Sequence, residues 1–484
     1  MLSRLVSRRC SLRRMVLVIL LVSCIYVLAF TGLIFKQSQN TKSSYSIYSQ
    51  IDVDADDLGY RHGVNPGSIL IHDRYMQMKR QHDINSKQLP NEEWRPLKEE
   101  KDIKPSVVAP KRDSVDESNE GGVLNYPEPS YNLHAFYYPW YGNPAFDGVY
   151  LHWNHDFLSH WNKQEAYRWP KGRHEPPDDI GSNYFPELGP YSSRDPKVIA
   201  NHMEQLRSAG IGTIAVSWYP AGQGDDQGKS WDDLMPSLLD LAHSYKIKIC
   251  FHIEPFKGRN ERTLRQAVIY IQDHYGRHPA YYRLKFRGKT LPLFYVYDSY
   301  LLRADHWAKL LSPDGEISIR NTRYDAVFIG LLVEERHNVD LVSAGFDGFY
   351  TYFASDGFSF GSSTRNWMNL AHSARSKEML FIPSVGPGYI DTQIRPWNAH
   401  NTRNREHGGY YEQSFRAAQG CKAPIISITS FNEWGEGTQI ERAIPKQTSK
   451  FQYLDYSPQK PDYYLSITRK WALKLRKSKS KHSV

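Results

Sequence analysis

The sequence predicts an α/β protein whose main domain is a (β/α)8 barrel, and three observations carry that reading. About eight short runs of apolar, β-branched or aromatic residues recur between residue 131 and the 430s. Segments with helical hydrophobic period separate them, as parallel strands joined by crossover helices require. Polar and aromatic residues gather at the carboxyl ends of the runs, where such barrels hold their ligands. An open doubly wound sheet is the competing architecture. It would place a glycine-rich phosphate loop such as GxGxxG or GxxxxGK[ST] after a strand, and none follows any of these runs.

In chain order, residues 1–14 carry Arg4, Arg8, Arg9, Arg13 and Arg14, and read as a cytoplasmic tail. Residues 15–35 hold no charge and are dominated by Leu, Ile and Val. A bilayer takes about 20 such residues as a helix. With the arginines on the amino-terminal side, this is expected to be a type II signal anchor. Residues 36–128 are rich in Ser, Asn, Gln and Asp, a composition that buries too little apolar surface to offset ordering entropy, and read as a disordered luminal stem. The barrel is assigned to 129–475 and a basic tail to 476–484.

Within the barrel the strand-like runs are 133–140, 213–219, 248–255, 292–298, 325–333, 348–353, 380–385 and 424–431. Helical patterns stand out at 195–209, 231–245, 261–274, 365–376 and 405–419. The run ends present Tyr138 and Trp140, Trp218 and Tyr219, Glu254, Tyr297 and Asp298, Glu334, Tyr350 and Tyr352, Ser384, and finally Asn432 and Glu433.

The net charge of +9 is concentrated near the two ends of the 484-residue chain. No basic face interleaved with aromatics appears in the folded region, so a nucleic-acid partner is not expected. Cys10, Cys24, Cys250 and Cys421 form no CxxC or zinc spacing, and Cys250 and Cys421 read as buried thiols. The long loop after the first run, 141–194, is dense in Trp, His, Pro and Gly and is expected to wall a cleft. Its His152, His155 and His160 have no acidic partner in sequence, so neither a metal site nor a cofactor is expected. A metal-dependent glycosyltransferase is disfavoured too, because no DxD-like motif follows a strand.

The chemistry concentrates in Ser430-Phe431-Asn432-Glu433-Trp434-Gly435-Glu436-Gly437. Two acids three residues apart, on a loop that Gly435 and Gly437 allow to turn, can face one space. Paired carboxylates beside an aromatic face suit glycoside cleavage, in which one group protonates the leaving oxygen while the other assists at the anomeric carbon.

Taken with His134-Ala-Phe-Tyr-Tyr-Pro-Trp-Tyr141, Phe251-His-Ile-Glu-Pro255 and Asp347-Gly-Phe-Tyr-Thr-Tyr352, this stretch resembles the endo-α-1,2-mannosidases of glycoside hydrolase family 99. The resemblance implies a retaining enzyme of the Golgi lumen, free of metal, that cuts internally in glucosylated high-mannose N-glycans. It implies that Glu436 is the general acid and then base. Glu433 would deprotonate the sugar 2-hydroxyl, leading to a 1,2-anhydro intermediate. Glu254 resembles the family's third buried acid, and Tyr138, Trp140, Trp218, Tyr350, Tyr352, Asn432 and Trp434 are the other expected substrate contacts. A non-hydrolytic glycan-binding paralogue on the same barrel is the alternative.

Overall fold

β-Branched and aromatic runs buried on both faces form the parallel strands of the computed structural model, which describes residues 126–480 and side-chain surroundings as far as residue 476. The tail, the membrane span and all but the end of the stem lie outside the described residues. Among the described residues no helix is long and apolar enough to cross a membrane.

The barrel strands are β1 (Ser130–Tyr137), β2 (Ile211–Trp218), β3 (Lys248–Ile253), β4 (Lys289–Val296), β5 (Val327–Leu331) and β6 (Gly348–Tyr350). They are followed by β7, in two pieces (Leu380–Ile382 and Ser384–Val385), and β8 (Ile426–Ile428). Each pairs in parallel with its sequence neighbour, as in Ala135↔Ile214, Ile214↔Ile249 and Phe251↔Phe294.

Closure falls at β7 and β8. The first piece of β7 pairs with β6 (Gly348↔Leu380), the second with β8 (Val385↔Ile428), and β8 returns to β1 (Ala135↔Ile428). Pro383 divides β7 because it lacks an amide hydrogen, yet its carbonyl still accepts from Ser427 N–H at 3.1 Å. The eight runs read from sequence are therefore the eight strands of a closed barrel.

Eight helices alternate with them: α1 (Pro196–Ser208), α2 (Met235–Ser244), α3 (Glu261–Tyr275), α4 (Ala304–Leu311), α5 (His337–Ser343), α6 (Trp367–Ser376), α7 (Gly409–Gly420) and α8 (Tyr463–Ser480). Local chemistry starts several of them. Asp195 caps α1 ahead of Pro196, and Asn260 with Thr263 forms a capping box on α3. Three helices were not among the patterns read from sequence. α4 and α5 span eight and seven residues, too short for a period to show. α8 hides its apolar face, which includes Tyr464 and Trp471, among Lys and Arg, and it continues into the stretch expected to be basic tail. An antiparallel arm, Arg283–Phe286, also pairs with the start of β4.

The start of the barrel depends on one close approach. A Cβ at Gly212 would lie 2.5 Å from the Ser130 carbonyl carbon, where the β1–β2 register shifts between Ser130 and His134. Backbone cannot yield as a side-chain tip can. Gly212→Ala is expected to cost about 2 kcal/mol, read as a lower urea midpoint at unchanged slope.

Candidate active site

β8 delivers the acidic loop to the carboxyl rim, and neighbouring elements fix its backbone. Phe431 N–H donates to the Phe136 carbonyl at 2.8 Å, and Glu433 N–H donates to Ser430 Oγ at 2.8 Å. The Tyr141 hydroxyl accepts from Trp434 N–H at 3.1 Å and donates to the Asn432 carbonyl at 3.0 Å. Beyond the acids, the Glu436 carbonyl accepts from Ile390 N–H at 2.9 Å. The two glycines are needed for different reasons. Gly437 has φ +59° and sits against the Ile390 backbone, whereas a Cβ at Gly435 would press within 3.1 Å of the Glu433 carboxylate.

Glu433 and Glu436 both line a hollow of about 300 Å³ at this rim. Glu433 is 7% exposed, and its Oε2 has no hydrogen-bond partner among the described residues. Burial, then the neighbouring Glu436, push its pKa well above the usual carboxylate range; Arg395 acts in the opposite direction. Arg395 is held by Asp391 at 2.9 Å and stands 3.7 Å from Glu436 Oε1. The two acids therefore occupy different electrostatic settings.

The walls are aromatic. Tyr138 packs on Trp140 (4.5 Å between ring centroids), and Trp140 stacks on His152 at 4.7 Å and 3°. The Tyr138 hydroxyl shares a short hydrogen bond with that of Tyr352. Glu254 enters from the end of β3 and pairs with His252 Nδ1 at 3.2 Å, while His252 Nε2 meets the Tyr350 hydroxyl at 2.7 Å. His152, Asp298 and Tyr352, all lining the hollow, have φ of 59°, 46° and 52°.

Of the residues expected from sequence, Glu433, Glu436, Tyr138, Trp140, Glu254, Tyr352 and Trp434 meet at this hollow. The structure places three others outside its lining. Trp218 is turned into the α2–α3 layer, where its indole donates to Asp232 at 2.7 Å. Tyr350 lies deeper in the barrel with no exposed surface. Asn432 spends its amide on backbone, accepting from Tyr138 N–H at 2.8 Å and donating to the Tyr138 carbonyl at 2.9 Å.

The loop histidines need a correction. His152 does have an acidic partner, Asp225 at 3.0 Å, and both His152 and His155 face Asp226. These acids arrive on the loop after β2, far away in sequence. His152, Asp225 and Asp226 bring their ligand-type atoms within 4.8 Å of one another. Asp225 is already saturated by Trp231 Nε1–H at 2.7 Å and by the amides of Gln227 and Lys229, so it acts as hydrogen-bonded scaffold. Burial raises the Asp226 carboxyl, but its histidine neighbours outweigh burial and hold it below the usual range.

Asp226, Arg395 and His252 were not among the expected site residues, whereas Tyr219 and Tyr297 carried the same strand-end signal as their neighbours. Volume alone does not find this site. A groove of about 590 Å³ along α2 and α3 is larger, but its Asp232 is consumed by Trp218, Tyr270 and Tyr275.

Comparison with known proteins agrees with this geometry. The model of glycosyl hydrolase family 99 matches residues 129–477. The glycoprotein endo-alpha-1,2-mannosidase of Xenopus laevis is 58% identical over 355 residues, 73% of this chain and 79% of that protein. The human glycoprotein endo-alpha-1,2-mannosidase-like protein is 58% identical over 342 residues, 70% of this chain and 75% of its own length. A solved structure of the GH99 endo-alpha-mannosidase from Bacteroides thetaiotaomicron aligns with a TM-score of 0.67 at 46% identity, covering 72% of this chain and 98% of that one.

Proposed function

The chain belongs to glycosyl hydrolase family 99 and is a glycoside hydrolase, and from that premise we propose that it is a retaining endo-α-1,2-mannosidase acting on glucosylated high-mannose N-glycans. The observation that supports this reading is the delivery of Glu433 and Glu436 to one aromatic hollow in unlike electrostatic settings. In the proposed reaction Glu433 removes the proton of the mannose 2-hydroxyl. The resulting oxygen attacks its own anomeric carbon while Glu436 protonates the departing glycosidic oxygen. A 1,2-anhydro sugar forms, and Glu436, now a base, activates the water that opens it with net retention. Once ionised, a carboxylate with a raised pKa is the stronger proton acceptor for a weakly acidic hydroxyl, which suits Glu433 to the first step.

Glu254, Tyr138, Trp140, Tyr352 and Trp434 line the hollow, and we assign them to sugar contacts. Trp218, Tyr350 and Asn432 act on this reading from behind the wall. Residues 15–35 anchor the protein as a single-pass type II Golgi protein with the barrel in the lumen.

The test is release of a glucosyl-mannose oligosaccharide from a glucosylated high-mannose glycan. Glu436→Gln is expected to slow release by about 100-fold or more. No release by the wild type at any pH from 5 to 8 overturns the proposal, and tight binding without turnover would replace it with a glycan-binding role.

A further inference from the structure

Behind the hollow, and outside its lining, lies a second acid that none of this chemistry uses. Glu441 has no exposed surface, nor has His202 on α1, whose Nε2 is hydrogen-bonded to one of the Glu441 carboxylate oxygens at 3.1 Å. The other carboxylate oxygen of Glu441 accepts from Trp434 Nε1–H at 2.9 Å and from the Tyr191 hydroxyl at 2.9 Å. Tyr191 extends the chain, its oxygen accepting from Asn432 Nδ2 at 3.3 Å and from Trp434 Nε1–H at 3.3 Å. His202 Nδ1 meets the Tyr137 hydroxyl at 3.0 Å, tying the group to the end of β1. The Glu441 backbone doubles back on the same loop, with its N–H on the Phe431 carbonyl at 3.0 Å.

A buried carboxylate is costly to desolvate, and an apolar residue would fill its volume without that cost. What only a carboxylate does here is accept three converging N–H and O–H donors. A glutamine in its place has one oxygen, so its NH2 must face either His202 or the Trp434–Tyr191 pair. The residues gripped are Asn432 and Trp434, immediately either side of Glu433.

We propose that Glu441, acting with His202 through Tyr191 and Trp434, is a positioning residue that sets where the Glu433 carboxylate stands in the hollow. The proposal rests on the hydrolase reading. Its consequence is that loosening this grip damages the chemical step more than the binding of the glycan.

The experiment compares Glu441→Gln and Tyr191→Phe with wild type in the full chain, on the glycan substrate. For Glu441→Gln, kcat is expected to fall about 10- to 100-fold with KM changed less than about threefold, the pattern of a misplaced catalytic group. Tyr191→Phe, which removes one hydroxyl and leaves no large void, is expected to lower kcat about threefold to tenfold.

The limb of the pH profile set by Glu433 should move toward lower pH in both variants, because a displaced Trp434 admits water to that carboxylate. The groups facing Glu433 there are Glu436, Arg395, Asp226, Tyr138, Tyr141 and Tyr352, and neither substitution alters any of them. Hydrogen exchange at the amides of 431–437 should quicken in both, a readout that does not need turnover. Folded variants with wild-type kcat, pH profile and exchange overturn the proposal. If Glu441→Gln fails to fold, Tyr191→Phe decides alone. A wild type with no activity overturns the hydrolase reading, and the exchange measurement then decides the positioning claim by itself.

Discussion

Glu433→Gln is expected to stop turnover and, at neutral pH, to make the protein more stable. Loss of a general base typically costs 10²- to 10⁴-fold, and in the proposed reaction the base acts first, so a fall of about 10³-fold or more in kcat is expected. The stability gain follows from the same burial. The Glu433 carboxyl is raised in the folded protein by burial first and by Glu436 second, with Oε2 lacking a partner. Its folded pKa therefore lies above its unfolded one, and between those two values the native state holds a proton that the unfolded chain has released.

Stability from this group is complete below the unfolded carboxylate pKa and is lost as pH rises through the folded value. Glutamine cannot ionise. The variant should match wild type in acid and exceed it increasingly toward neutral pH, with a flatter dependence of urea stability on pH. Parallel wild-type and variant curves, or a variant less stable at pH 7, would mean that the buried carboxylate is compensated in the native state.

The same contrast shows what a sequence exposes and what it hides. The eight strands were legible because each is a short, mostly apolar or aromatic run bounded by turns, and burial on both faces enforces that composition. The acid pair was legible because both members sit on one loop. The expected residues that lie outside the lining do so for geometric reasons. Trp218 and Tyr219 are adjacent, yet strand alternation sends Trp218 toward Asp232 and leaves Tyr219 lining the hollow.

Tyr350 and Tyr352 differ in depth instead. The first bonds His252 inside the barrel, and the second reaches the rim with its N–H held by Ser384 Oγ at 2.8 Å. Asn432 shows that a polar residue beside an acid of the hollow can be committed to the wall behind it, here to the Tyr138 backbone and the Tyr191 hydroxyl. Asp226 and Arg395 had no signal at all, since each reaches the site on a separate loop and only the closed barrel brings those loops together.

Arg405→Lys is expected to destabilise the protein by about 2 kcal/mol and to slow turnover about tenfold, although charge is conserved and Arg405 lines no part of the hollow. The Arg405 guanidinium lies among three tyrosine rings, 4.5 Å from Tyr184, 5.0 Å from Tyr456 and 4.5 Å from Tyr464. Among the described residues no carboxylate stands within 4 Å of it. Its compensation is the ring faces together with one nitrogen, NH2, that donates to the Gly437 carbonyl at 2.9 Å and the Gln439 carbonyl at 2.8 Å.

Those carbonyls begin one residue beyond Glu436, so Arg405 grips the loop just after the acids, whereas Glu441 and Tyr191 grip it at Asn432 and Trp434 on either side of Glu433. A planar guanidinium stacks on aromatic faces and directs its donors in its own plane at the same time; a lysine ammonium is a strongly hydrated point charge that gives up stacking to reach a carbonyl. Charge-assisted hydrogen bonds of this kind are worth about 1.5–3 kcal/mol, which sets the expected loss.

Arg405→Met should cost more, about 3–4 kcal/mol, because the Gly437 carbonyl then loses its donor and the Gln439 carbonyl keeps only the Tyr456 hydroxyl at 3.3 Å. Urea midpoints at unchanged slope, read beside kcat, give the outcome. A lysine variant as stable and as active as wild type would show that charge alone is what this cage of rings requires, and that the loop after Glu436 is held by other contacts.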